Sequence, residues 1–120
     1  MVIFPGTSNP SNLLHRFATP TQTSPFLRIV LIEGGFKFSM HYHMDKDETW
    51  YVEKGEFIYR WIDTETAEIK KRELKVGEVV RQLPGQPHQL EAITDGVIFE
   101  VSTQHKDSDS YRVLKGDSQR

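Results

Sequence analysis

Two histidines one residue apart, His41 and His43, stand in a segment of aromatic and alternating character, Gly35-Phe36-Lys37-Phe38-Ser39-Met40-His41-Tyr42-His43. Side chains alternate faces along a strand, so both imidazoles point one way and can grip one ion. Glu48 opens a second strand-like run, Glu48-Thr49-Trp50-Tyr51-Val52, after the polar stretch Met44-Asp45-Lys46-Asp47. If the chain folds back through that stretch, the carboxylate returns to the imidazoles. A third histidine, His88, follows Pro84-Gly85 and stands directly after Pro87. A tight turn and a fixed φ deliver a side chain reproducibly to one place, as a metal ligand requires. A His-x-His pair alone is more often a surface or hydrogen-bonded feature. With Glu48 and His88 the set suits one divalent transition metal, Fe, Mn, Zn, Ni or Co, with positions left open for water, substrate or dioxygen.

These residues need a rigid frame. From Phe26 the chain reads as short strands: Phe26–Glu33, Phe36–Met44, Glu48–Glu53, Glu56–Ile62, Ala67–Leu74, Glu78–Leu83, His88–Ile93 and Val97–Ser102. Turn signals separate them, and Asp95-Gly96 between two apolar runs is a strong hairpin signal. Such a series predicts an all-β antiparallel sandwich or barrel over residues 26–103. Residues 1–25, punctuated by Pro5, Pro10, Pro20 and Pro25, read as an extended arm with a short helical turn near Ser11–Phe17. Residues 104–120 read as a polar tail.

The strand Phe36–Met44 carries a second message. Its face opposite the histidines holds Phe36, Phe38, Met40, Tyr42 and Met44, too wide an apolar surface to leave to water. The arm, exchanged or not, or a second subunit must cover it, so a homodimer is expected.

Composition narrows the classes further. At 120 residues the chain is one domain, and it has no cysteine, so any metal is held by nitrogen and oxygen. A formal charge of −2 gives no reason to expect nucleic acid or an anionic membrane. No basic leader and no apolar run of about 20 residues is present, so the expectation is a soluble cytoplasmic protein.

The spacing Gly35-x5-His41-x-His43-x4-Glu48-x6-Gly55 resembles the first motif of the cupin superfamily at every fixed position. Gly77 to His88 is similar to the second, with Leu83 where a proline is usual and Ala92 where asparagine is frequent. The resemblance implies a double-stranded β-helix, or jelly-roll barrel, with a metal in its mouth. The segment Phe99 to Arg112 resembles, loosely, the closing segment of the cupin domain of type II phosphomannose isomerases, where an acidic pair precedes an arginine. Read as a plain sequence, Asp107, Asp109 and Arg112 are equally a solvated tail.

The cupin resemblance implies isomerases, epimerases, dioxygenases, decarboxylases, lyases and binding proteins. The first expectation is a metal-dependent, isomerase- or epimerase-type enzyme on a small oxygen-rich substrate, a sugar or sugar phosphate. The alternatives are an Fe(II)-dependent dioxygenase and a non-catalytic small-molecule or carbohydrate-binding cupin. For the isomerase, Glu100 or His105 would move the proton, because Glu48 is taken by metal. Lys37, Arg60 and Arg81 are candidates for a phosphate, and Trp50 is a candidate pocket wall.

Overall fold

A computed structural model of the chain describes residues 26–103 and 106–119. Among the described residues nine strands follow in order: β1 (Phe26–Ile32), β2 (Met40–Tyr42), β3 (Glu48–Lys54), β4 (Phe57–Ile62), β5 (Ile69–Leu74), β6 (Val79–Gln82), β7 (His88–Ala92), β8 (Gly96–Ser102) and β9 (Tyr111–Leu114). They form two antiparallel sheets, β1-β8-β3-β6 and β5-β4-β7-β2-β9. The sheets face each other as a jelly-roll barrel, the all-β fold the strand pattern predicts. The expected arm, with its helical turn and its covering residues, lies outside the described residues.

Alternation in the first sheet explains how the barrel is filled. Glu100 pairs with Arg28 on one side and Trp50 on the other, while Glu48 pairs with Ser102 and Gln82. These six side chains face inward, and the intervening Leu27, Ile29, Tyr51, Val79 and Val101 are exposed. Towards the other end the inward face turns apolar, through Val30, Ile32, Val52 and Ile98. Phe57, Tyr59, Leu74, Leu90 and Ala92 of the second sheet complete that core. One end of the barrel is therefore closed by packing, and the other is polar.

The strand expected over Phe36–Met44 is shorter and bent. Only Met40–Tyr42 is regular, with a register shift between Met40 and His41. Before it, the chain is tied to β7 by bonds such as Phe38 N–H to the Leu90 carbonyl at 2.9 Å. The break in alternation scatters the expected apolar face. Phe38 joins the core, Met40 is 0% exposed, and Tyr42 stacks on Tyr111 with centroids 5.1 Å apart. Only Met44 stays largely in water. The chain covers this face itself.

What covers it is the segment expected as a polar tail. β9 pairs with β2, setting Tyr111 against Tyr42 and Arg112 against His41. An unpaired β2 edge would leave its backbone groups open, and β9 satisfies them. Gly116 then lies so close to the backbone of Phe38 and Ser39 that no Cβ fits there. The Asp117 N–H donates to the Lys37 carbonyl at 2.8 Å, and the Lys37 N–H donates to the Asp117 carboxylate at 2.7 Å.

Candidate metal centre

His41 and His88 are direct partners across β2 and β7, and their ring centroids lie 4.7 Å apart. His43 follows β2 on the same side, 5.1 Å from the His41 ring. Glu48 opens β3 on the facing sheet. Its Oε1 lies 3.1 Å from His43 Nε2 and 3.2 Å from His88 Nε2. One ligand atom from each of His41, His43, Glu48 and His88 falls within 4.8 Å of all the others. The turn before His88 is fastened at the same point. Gly85, at φ +80°, donates its N–H to the His43 carbonyl at 2.6 Å, in a conformation that glycine adopts without strain.

The donor set fits a divalent ion. Each histidine directs Nδ1 at a main-chain carbonyl: His41 at Ser39 (2.9 Å), His43 at Asp109 (2.5 Å) and His88 at Gln86 (2.8 Å). An Nδ1–H that donates to a carbonyl leaves Nε2 as the lone-pair nitrogen. Three such lone pairs and a carboxylate would repel one another without a cation or protons between them. This arrangement suits Fe, Mn, Co, Ni or Zn, and nothing in it selects among them.

The electrostatics agree. Burial and the neighbouring His88 push His41 down to about 4, so it stays neutral near neutral pH. Burial also works against a charge on His43, but its contacts with Glu48 and the Asp109 carbonyl overcome that and raise it. Burial alone would raise Glu48. The close contacts with His43 and His88, and the charge of Lys46, instead hold it well below the usual carboxylate range when protons rather than an ion lie between them.

His41, His43 and Glu48 of the cluster line a cavity of about 220 Å³, together with Arg28, Phe38, Lys46, Trp50, Glu100 and Arg112. Glu100, whose orientation the sequence left open, points inward and is 4% exposed. It accepts from Trp50 Nε1 at 3.0 Å, Lys46 Nζ at 3.3 Å and Arg28 Nη2 at 3.4 Å. Lys46 also lies 3.5 Å from Glu48 Oε2, so one buried ammonium links the two carboxylates. Trp50 is the expected wall, edge-on to His88 at 5.4 Å.

The other cation candidates lie elsewhere. Arg60 pairs with Glu91 at 2.8 Å, beside β7 but away from the cavity. Arg81 is 62% exposed and clamps Asp47 at 2.6 and 3.0 Å. Lys37 does not line the cavity, because the bend before β2 removes it from the histidine face. His105 lies outside the described residues. The cavity's cations are Arg28, Lys46 and Arg112, none of them chosen from the sequence as a site residue. Arg28 did carry a signal, being the one charge in the apolar run FLRIVLI. Asp109, also left as tail, accepts from the N–H groups of Met44, Asp45 and Lys46 and shapes the loop between His43 and Glu48.

A two-sheet jelly roll with a His3Glu cluster inside one end defines a β-barrel protein whose cluster could hold a metal ion. The chain belongs to the cupin family: the cupin domain matches residues 27–103. No curated protein sequence matches it significantly. Among solved structures it is similar to the capsular polysaccharide assembling protein CapF from Staphylococcus aureus, at 24% identity, with TM-score 0.65, over 79% of this chain and 27% of that one. Oxalate decarboxylase from Bacillus subtilis is similar at 16% identity, with TM-score 0.66, over 77% of this chain and 24% of that one. KdgF from Halomonas sp. is similar at 20% identity, with TM-score 0.63, over 76% of this chain and 77% of that one. The chain thus spans about a quarter of CapF and of oxalate decarboxylase, and these likenesses show the fold. Among the described residues no helix is long and apolar enough to cross a membrane.

Proposed function

We propose that this cupin is a metal-dependent enzyme of the isomerase or epimerase type, acting on a small oxygen-rich substrate such as a sugar or sugar phosphate. The observation that carries the reading is one cavity lined both by His41, His43 and Glu48 of the four-residue cluster and by a separate buried carboxylate, Glu100. A divalent ion held by His41, His43, Glu48 and His88 would supply Lewis-acid polarisation of a carbonyl or of vicinal hydroxyls. In this reading Glu100 takes a proton from the carbon beside that carbonyl and returns it. Lys46, between Glu48 and Glu100, holds Glu100 in position and balances the charge of both carboxylates. Trp50, Phe38 and Leu90 shield the reacting carbon from water. The capsular polysaccharide context in which CapF is described favours a sugar over other oxygen-rich molecules.

The test is proton NMR in D2O of aldoses, ketoses, uronates and sugar phosphates, with protein loaded in turn with each of the five metals. Deuterium incorporation beside the carbonyl is expected for at least one pair. No exchange anywhere, together with oxygen uptake in the presence of Fe(II), would replace this reading by the dioxygenase. Binding with neither activity would leave the non-catalytic cupin.

A homodimer belongs to the same proposal, on a different surface from the one the sequence pointed to. The outer face of the first sheet exposes Leu27, Ile29, Tyr51, Val79 and Val101 as a contiguous patch, and patches of this kind mark interaction sites. A monodisperse monomer in sedimentation would remove it.

A further inference from the structure

Arg28 stands on β1 with its side chain turned into the cavity and only 16% exposed. A guanidinium carries five N–H donors and does not shed its charge in proteins. Arg28 makes one long contact, 3.4 Å from Nη2 to Glu100 Oε1, and its buried Nε–H has no acceptor. Glu100 is already held by Trp50 and Lys46 at shorter distances. Arg28 is thus positioned by Glu100 without being satisfied by it. A buried donor without a partner is costly, and the deficit ends when an acceptor enters the cavity.

Arg112 is the second observation, independent of the first. It comes from β9, stands opposite His41 in the ladder and lines the same cavity, without an ion pair among the described residues. Charge accounting adds a third. Lining the cavity are Arg28, Lys46 and Arg112 against Glu48 and Glu100. Lys46 contacts both carboxylates, and a divalent ion on the cluster offsets Glu48. The loaded cavity is left with a surplus of positive charge in a partly dry space, where it acts strongly.

We infer that Arg28 and Arg112 form an anion subsite, which takes the carboxylate or phosphate of a monosaccharide-sized ligand whose oxygens face the His41–His43–Glu48–His88 cluster. This rests on the small-molecule reading of the cavity above and narrows it to charged ligands. The guanidinium fork suits either oxyanion, so the two are separated by experiment.

The experiment is calorimetric titration of the full chain, metal-free and Zn(II)-loaded, with D-glucuronate, D-glucose 6-phosphate and D-glucose. At least one anion is expected to bind about 10- to 100-fold tighter than glucose, the range of a charge-assisted hydrogen bond. Arg28→Met should abolish that preference, and Arg28→Lys should keep part of it. Arg112→Ala, at an exposed position, should weaken the same anion by a smaller factor and guards against a misfolded Arg28 variant. A preference for glucuronate assigns a carboxylate, and one for the hexose phosphate assigns a phosphate. Anions that bind no tighter than glucose, or an Arg28→Met protein that keeps the preference, would overturn the subsite. Binding is read without turnover, so failure of the isomerase reading leaves this test intact. Turnover of neutral sugars without anion preference would sink the subsite alone.

Discussion

His43 Nδ1 donates to the main-chain carbonyl of Asp109 at 2.5 Å, across 66 positions of sequence. The same Asp109 uses its carboxylate to gather the N–H groups of Met44, Asp45 and Lys46. One residue from beyond the last long strand therefore orients one imidazole of the cluster and shapes the loop that carries the chain to its carboxylate.

Replacing Asp109 by alanine should loosen both. The main-chain carbonyl remains, but the loop that fixes His43 and Glu48 loses three acceptor contacts. Outer partners of metal ligands typically contribute 10- to 100-fold in affinity, so Asp109→Ala should weaken metal binding by about that factor. Competition against a chromophoric chelator measures it, and an unchanged affinity would refute the role. Burial alone would raise the Asp109 carboxyl, but the Met44, Asp45 and Lys46 amides hold it below its ordinary value. Its contribution to stability is present above the unfolded carboxyl value and fades as pH falls through the lowered one.

The cluster itself is tested by His41→Ala and His88→Ala. Each should remove most of the bound ion in elemental analysis of protein purified without a histidine tag. His41 has the higher exposure of the two, so its variant should stay folded. Full metal content in both variants would reject the assignment.

The metal-free protein should be sensitive to mild acid through His41. Burial lowers His41 from 6.5 to about 4, so the unfolded chain takes up a proton in that interval that the native state refuses. Stability is therefore complete above pH 6.5 and declines towards pH 4, by about 2–3 kcal/mol from this residue. His43, raised, has the opposite sign: its contribution is full below 6.5 and is lost as pH rises through its folded value. Denaturant midpoints of the chelated protein across pH 4–8 should show the acid decline shrink in His41→Gln. An identical slope in wild type and variant would count against a neutral, buried His41.

Glu100→Gln keeps the size of the side chain and removes its basicity. If Glu100 moves the proton, metal content should hold while deuterium exchange into substrate falls by about 10²- to 10⁴-fold. Loss of exchange together with loss of metal would mean that the residue only supports the centre.

Gly116→Ala should peel the last segment from the barrel. Its Cβ would strike the backbone of Phe38 and Ser39, which cannot yield as a flexible side chain can. Destabilisation of about 1–3 kcal/mol is expected, the range for forcing extra atoms into a packed site, and protease should cut sooner after Thr103. A wild-type proteolysis pattern would show the contact to be slack.

The cluster of His41, His43, Glu48 and His88 was legible because three of its members are close in sequence, two on one strand and one after a short loop, and the fourth follows a proline-fixed turn. Glu100 was named as a candidate too, but its inward direction was not legible, because the pattern that orients strands is inverted at this end of the barrel. Phe99 and Val101 point outward and Arg28, Glu48 and Glu100 inward, the reverse of the usual apolar-in rule. The bend at Met40–His41 misled the reading of Lys37 and of the apolar face for a related reason, since strict alternation fails at a register shift. β9 was hidden by composition. Tyr111-Arg112-Val113-Leu114 stays about half exposed and shows no clear inward face, and it finds its reason only in the open edge of β2.

The pairing of β9 with β2 also sets an order of assembly. The Asp109–Met44 bond closes a loop of 65 positions, and closures of that length come late because their entropy must be met before contacts reward it. Glu48 meets His88 across 40 positions and His41 pairs with His88 across β2 and β7, and neither contact uses any part of that segment. The four-residue cluster can therefore be complete while the barrel is still missing a wall, and Arg112, which comes with β9, would then narrow the doorway that any ion must pass.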